Sequence, residues 1–294
     1  MNIFIFGAGY TSLAFVDLVK QENHKIAGTT RDAEKLSELR DNGIEAFLFD
    51  GESHSPEIAA RLAAVTHLLI SIAPPRDTIG NDVDPVLNVF GETIRQKMPK
   101  LQWIGYLSTV GVYGNHDGAW VNEEAPTAPV SARSIQRDIA EKSWMALSSA
   151  MNVPLTIFRL AGIYGNSRNA FRTIEAGRSR RLVKKGQYFN RIHVSDIAQA
   201  IDLASQKHMN EVFNITDNEP APPQDVVTFA HELMGKIPPA ELDFETADIT
   251  PMARSFYGEN KRVSNAKSKE ILGLDYAYPD YKTSLSKMWN ENDW

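Results

Sequence analysis

Asn2-Ile3-Phe4-Ile5-Phe6-Gly7-Ala8-Gly9-Tyr10-Thr11-Ser12 is the stretch that decides the fold. Residues 2–6 are a short apolar run of β-forming side chains, and from Thr11 onward Leu13, Val16 and Val19 recur at helical spacing. The junction is therefore a strand, a glycine turn and the start of a helix. Gly7 permits the tight turn, and Gly9 lets the backbone come close to a pyrophosphate, which then rests on the helix N-terminus beside Tyr10 and Thr11. The third small position holds Ser12 rather than glycine, which still allows close helix–strand packing. A glycine turn without a ligand is the competing reading; the strand–turn–helix context favours the dinucleotide site.

Working outward, residues 25–29, 45–49, 67–72, 102–107 and 154–158 read as further strands, with 211–215 a seventh. Helical patterns lie at 11–21, 32–41, 83–98 and 134–150. Strands alternating with helices predict right-handed βαβ units and a parallel sheet. Beyond about residue 165 the alternation loosens. A basic segment at 167–187 precedes a helix at 195–204, and the prolines at 220, 222 and 223 precede another at 224–234. Such a tail builds a smaller lobe near the carboxyl edge of the sheet, where ligands of open α/β sheets bind.

Composition narrows the function. The 294 residues carry 31 basic and 37 acidic side chains, a net charge of −6, which argues against nucleic acid as a partner. With 43% hydrophobic residues a packed core is available, and with no cysteine there is no disulfide, thiolate metal site or thiol nucleophile. The histidines are scattered without metal-ligand spacing. No apolar run reaches the ~18 residues of a membrane span, and the N-terminus lacks a basic leader, so the expectation is a cytoplasmic protein binding a small-molecule substrate.

The end of the second strand selects the nucleotide. Gly28-Thr29-Thr30-Arg31 contains no acid to hold ribose hydroxyls, whereas Arg31 and Thr30 suit a 2′-phosphate. NADP is expected over NAD, with Asp32 either a helix cap or a ribose ligand that would admit NAD. Asp50, after the third strand, is either an adenine-side residue or an ordinary turn residue.

Several later motifs resemble the short-chain dehydrogenase/reductase superfamily in its extended, epimerase/dehydratase-like branch. Tyr106-Leu107-Ser108-Thr109-Val110-Gly111-Val112-Tyr113-Gly114 is similar to the family's Ser/Thr strand, which implies a carbonyl-polarising role for Thr109, with Ser108 beside it. Arg159-Leu160-Ala161-Gly162-Ile163-Tyr164-Gly165 resembles the strand end that closes over the nicotinamide. Arg191-Ile192-His193-Val194-Ser195-Asp196 resembles the opening of the substrate lobe, and the segments 211–215 and 260–265 match later landmarks. The resemblance implies a Rossmann doubly wound α/β sheet with a smaller C-terminal substrate lobe. The nucleotide domain would span 1–165 with 193–217, and the lobe 166–192 with 218–294. Ile72, Ala73 and Leu160 would line the coenzyme, and two copies would pair through the helices at 83–98 and 134–150.

One departure bears on chemistry. The family carries Tyr and Lys four residues apart on the helix after the Ser/Thr strand. Aligning Pro129 and Glu141 puts Arg133 at the Tyr position and Arg137 at the Lys position. Arginine stays protonated, so Arg133 cannot alternate between acid and base, while Arg137 can still bond a ribose or phosphate. Tyr113, His116 and His193 are substitute proton carriers, each weighed against a packed or structural role, and Asp196 is placed to sit in the first turn of its helix. The basic residues Arg172, Arg178, Arg180, Arg181, Lys184, Lys185 and Arg191 are either an anion site or a solvated face. Two functions follow: an NADP-dependent epimerase, dehydratase or reductase on a small polar, sugar-like or anionic substrate, or a non-catalytic NADP(H) sensor.

Overall fold

The computed structural model describes residues 1–75 and 84–294. Its opening half alternates as the periodicity requires. Strands β1 (Asn2–Phe6), β2 (Lys25–Thr30), β3 (Glu45–Leu48), β4 (His67–Ile70) and β5 (Trp103–Thr109) are separated by helices α1 (Tyr10–Val19), α2 (Lys35–Asp41), α3 (Pro56–Leu62) and α4 (Pro85–Lys97). A two-residue strand, β6 (Trp120–Val121), follows, then the long helix α5 (Ala132–Met151) and strand β7 (Leu155–Leu160). The helix expected from residue 83 begins at Pro85, capped by Asp84, whose carboxylate accepts from the Val86 and Leu87 amides; Val83 lies outside the described residues.

The rest of the chain is built of shorter pieces. These are β8 (Gly162–Tyr164), α6 (Ala170–Glu175), β9 (Arg181–Val183), β10 (Arg191–His193), α7 (Val194–Gln206), β11 (Val212–Ile215), α8 (Pro223–Leu233), β12 (Glu241–Asp243), α9 (Pro251–Phe256), β13 (Arg262–Val263) and α10 (Tyr281–Glu291). The sequence reading does not include α3, α6, α9 or α10, nor the two- and three-residue strands; the shortest of these carry no readable period, whereas the 11-residue α10 does carry one, in Tyr281, Leu285 and Met288.

Seven strands form one sheet in the order β11-β7-β5-β4-β1-β2-β3. The pairs β1–β2, β1–β4, β2–β3 and β4–β5 are parallel. The order reverses between β1 and β4, which opens a crevice at their carboxyl ends. Alternate residues supply one core: Phe4, Phe6, Leu68, Ile70, Ile104 and Tyr106 pack with Phe90 and Ile94 of α4 and Trp144 of α5. Ile3, Ile5 and Leu69, of opposite parity, are buried too, so the central strands are covered on both faces and read as continuous apolar runs.

The chain divides into two compact units, one of Met1–Thr109, Ala132–Arg159 and Ile197–Phe213, the other of Val110–Ser131, Leu160–Asp196 and Asn214–Trp294. The sequence reading assigned 110–131 to the nucleotide domain; here it groups with the second unit. The reason is local: β6 pairs with β13, and Lys261 donates to the Gly114 carbonyl at 2.7 Å. The second unit has its own core, in which Phe171, Ala230, Tyr281, Leu285 and Met288 join α6, α8 and α10. Among the described residues no helix is long and apolar enough to cross a membrane, and no group of three His, Asp or Glu could hold a metal ion.

Candidate functional site

At the carboxyl end of β1 the chain turns through Gly7 at φ +93°, a left-handed conformation that side chains resist. A Cβ there would also meet Ile72 Cγ1 at 3.0 Å, so the turn and the end of β4 lie against each other. Gly7 is held from both sides: its amide donates to Thr29 Oγ1 at 2.9 Å, and the fully buried Ser12 donates its hydroxyl to the Gly7 carbonyl at 3.0 Å. Ser12 therefore does more than fill the third small seat; it ties the helix back onto the turn. Gly9 caps α1 without any side-chain bond, and nothing stands within 4 Å of where its Cβ would be. The positive end of α1, with Tyr10 and Thr11 in its first turn, is of the kind that holds an anionic group.

At the end of β2, Thr30 Oγ1 accepts from the Asp32 amide at 3.1 Å, and Asp32 Oδ1 accepts from the Glu34 amide at 3.0 Å. Asp32 is thus engaged in the turn leading to α2, and Arg31 is exposed beside it. Asp50 is exposed and occupied with its own turn. It accepts from the Glu52 and Ser53 amides and the Ser53 hydroxyl, each at 2.8 Å, and these bonds, the Ser53 amide first, hold its carboxyl down at about 2. A cradle formed by a left-handed glycine and an uncapped helix N-terminus fits a dinucleotide.

At the ends of β4 and β5 the site is dominated by Arg137. Its Nη1 donates to the Leu107 carbonyl at 2.6 Å, the Tyr106 hydroxyl at 3.1 Å and the Ile72 carbonyl at 3.4 Å, and its guanidinium lies 5.5 Å from the Tyr106 ring centre. A phenol therefore does touch the cation. It is a fully buried one whose pKa burial drives further up, with the nearby Arg137 charge only partly opposing, and it is unsuited to exchanging protons near neutrality. Arg133, one turn earlier on α5, is exposed, Thr109 is half-buried at the end of β5, and Ala73 is exposed just past Ile72.

Ser108, which the resemblance set beside Thr109 in the reacting group, turns inward. Its hydroxyl donates to the buried Glu141, whose other partner is Arg159: Nη2 to Oε2 is 2.8 Å, and Nε reaches both carboxylate oxygens at 3.3 Å. This Ser108–Glu141–Arg159 cluster joins β5, α5 and β7. The sequence did carry a signal for it, an acid between Ala140 and Trp144 on a buried helix stripe and a lone arginine in an otherwise apolar strand.

The second unit shows what occupies the other candidates. Tyr113 is fully buried and donates its hydroxyl to Asn214 Oδ1 at 2.8 Å, a packed aromatic rather than one turned outward. His116 is tied to the Tyr113 carbonyl at 3.1 Å. His193 stacks on Tyr278 with ring centres 3.5 Å apart, and burial lowers its pKa to about 4. Asp196 sits in the first turn of α7 and accepts from the Ala277 and Tyr278 amides; burial raises it to about 6. Leu160 is buried at the end of β7. Of the basic residues, Arg172 pairs with Glu175 and Arg181 with Glu241, while Arg180, Lys184 and Arg191 donate to carbonyls of the same unit. Five of the seven are thus spent on holding the lobe, which weakens the anion reading of that stretch.

A model of the NAD dependent epimerase/dehydratase family matches residues 3–216. No curated protein matches the chain. Among solved structures, a functionally unknown conserved protein from Silicibacter pomeroyi DSS is 43% identical, with a TM-score of 0.89 over 100% of this chain and 99% of that one. UDP-N-acetylglucosamine 4-epimerase from Bacillus cereus is 16% identical, with a TM-score of 0.76 over 99% of both chains. The dTDP-glucose 4,6-dehydratase of Bacillus anthracis, in complex with NAD, is 20% identical, with a TM-score of 0.74 over 100% of this chain and 97% of that one. The last two are alike in fold.

Proposed function

The chain belongs to the NAD dependent epimerase/dehydratase family, and from that premise we propose that it binds NADP(H) and acts as an epimerase, dehydratase or reductase on a small polar substrate, sugar-like or anionic, with acid–base chemistry other than that of a Tyr/Lys couple. The observation that carries the coenzyme choice is the end of β2, where the exposed Arg31 stands beside Thr30 and Asp32 is engaged in its own turn.

When bound, a nicotinamide dinucleotide gives or takes a hydride. Around it, the Gly7 turn and the head of α1 take the pyrophosphate, and Arg31 takes the 2′-phosphate. Ile72, Ala73 and Arg137 would line the nicotinamide half. Thr109 donates its hydroxyl to the substrate oxygen, and the fixed charge of Arg137 steadies negative charge developing there. With Tyr106 buried beneath Arg137, the substrate oxygen exchanges its proton with water. Absence of a positioned acid–base costs about 10²–10⁴ in rate, so turnover is slow.

The alternative, a sensor that holds NADP(H) without turnover, draws on one observation: Tyr113, His116 and His193 are each engaged in packing or in bonds within the second unit. Two measurements decide. Calorimetry with NADP+ and NAD+ is expected to give tighter NADP+ binding by about tenfold or more, a preference lost in Arg31→Ala; tighter NAD+ binding to the unmutated protein refutes the coenzyme assignment. NADPH oxidation against a panel of ketones and nucleotide sugars then separates the readings. Activity that Thr109→Val abolishes favours the enzyme, and bound coenzyme without turnover across the panel favours the sensor.

A further inference from the structure

The first turn of α5 is charged against the helix. Glu or Asp is the favourable residue at a helix N-terminus, because the free amides there carry partial positive charge. The first turn of α5 has no acidic residue and contains Arg133, with Arg137 one turn on. The acids that follow are already paired: Asp138 with Lys142 at 2.6 Å, and Glu141 with Arg159 at 2.8 Å. Arg137 itself, half-buried, meets only neutral acceptors, the Ile72 and Leu107 carbonyls and the Tyr106 hydroxyl, and no carboxylate among the described residues pairs with it. The nearby buried Asp84 is committed elsewhere, to the Val86 and Leu87 amides and the Trp144 indole. All three bonds of Arg137 come from Nη1, which pins the guanidinium and leaves its other edge to pair with an incoming group. Arg137 is a half-buried cation that makes no ion pair among the described residues; the buried Asp84 lies within its field, but burial raises the Asp84 pKa, so that acid answers the charge only in part and leaves it open to an incoming anion.

We propose that the head of α5 is an anion site of the substrate: Arg137, with the Thr109 hydroxyl at the end of β5, receives a carboxylate or phosphate group carried next to the reacting carbon. The two arginines then stand in the Tyr and Lys positions because this substrate brings a negative charge there. Carbonyl compounds of that class are 2-oxo acids and phosphorylated ketones. The inference deepens the function proposed above and rests on it for the bound coenzyme.

The test uses matched ligands differing only in charge: pyruvate against pyruvamide, and dihydroxyacetone phosphate against dihydroxyacetone. Binding to the full chain saturated with NADP+ is followed by ligand-observed NMR. The charged member of at least one pair is expected to bind about 10–100-fold more tightly, the range of a charge-assisted bond to arginine. Arg137→Gln is expected to remove that preference and Arg137→Lys to keep part of it, with both variants unfolding within a few degrees of the unmutated chain. Which pair discriminates identifies carboxylate or phosphate. Equal binding within both pairs overturns the proposal. So does a preference that survives Arg137→Gln, or an anion that NADP+ displaces, which would make the site the coenzyme's own. If NADP+ does not bind at all, the coenzyme assignment fails separately, and the same ligand pairs on the free protein still decide the anion site.

Discussion

Removing one partner of the Glu141–Arg159 pair is expected to be among the most damaging single changes in the first unit. The two side chains are 2% and 7% exposed, and the ion pair closes at 2.8 Å with Ser108 as a third partner. In Glu141→Gln the amide can still bond Ser108, but Arg159 keeps its charge in a place water does not reach. Leaving a buried charge unpaired costs about 3–5 kcal/mol. At about 2–4 °C per kcal/mol for a unit of this size, the unfolding midpoint should fall by about 6–20 °C. The double variant Glu141→Gln/Arg159→Met removes both charges and should recover much of the loss, because an apolar replacement of a whole pair is often neutral. Thermal unfolding of the four proteins, analysed as a double-mutant cycle, measures the coupling. A single variant that loses less than about 1 kcal/mol, or a double variant as unstable as the summed singles, would refute the assignment of a desolvated, mutually dependent pair.

Two further outcomes are expected. The pKa of His193 is lowered by burial to about 4 from an ordinary 6.5, so the unfolded chain binds its proton first; stability from this group is present above pH 6.5 and is lost as pH falls toward 4. His193→Phe keeps the stack on Tyr278 and should reduce the acid-side slope of the unfolding free energy by up to about 1.4 kcal/mol per pH unit, read from denaturant titrations at several pH values; an unchanged slope contradicts it. Asp196, raised by burial to about 6, works in the opposite sense below that pH and is unaltered by the change. Separately, α5 turns Ile135 and Met145 outward at 42% and 39% exposure, so we propose that two copies pair through this helix together with α4. Light scattering should give the mass of two chains, falling to one in Ile135→Glu/Met145→Glu, and a monomer before mutation counts against it.

The sequence by itself determined the parallel sheet and the glycine turn. A five-residue apolar run, two glycines and a 3.6-period stripe at residues 2–19 are local features, and local geometry suffices to read them. It also determined the acid-free end of β2 and the arginines at 133 and 137, since identity alone says which groups can titrate. What only the tertiary structure decided is which polar side chains have partners. Ser108 and Thr109 are neighbours in sequence, yet on a pleated strand they face opposite ways, and it is Ser108 that meets Glu141 and Arg159 from two other elements. Tyr113 looked free until Asn214, 101 residues away, accepted its hydroxyl. Arg137 was legible as a cation, but not the three neutral oxygens, two from β5 and one from the turn after β4, that fix one edge of it. Hydrogen bonds and ion pairs across such separations depend on which strands lie side by side, and no short window of residues contains that information.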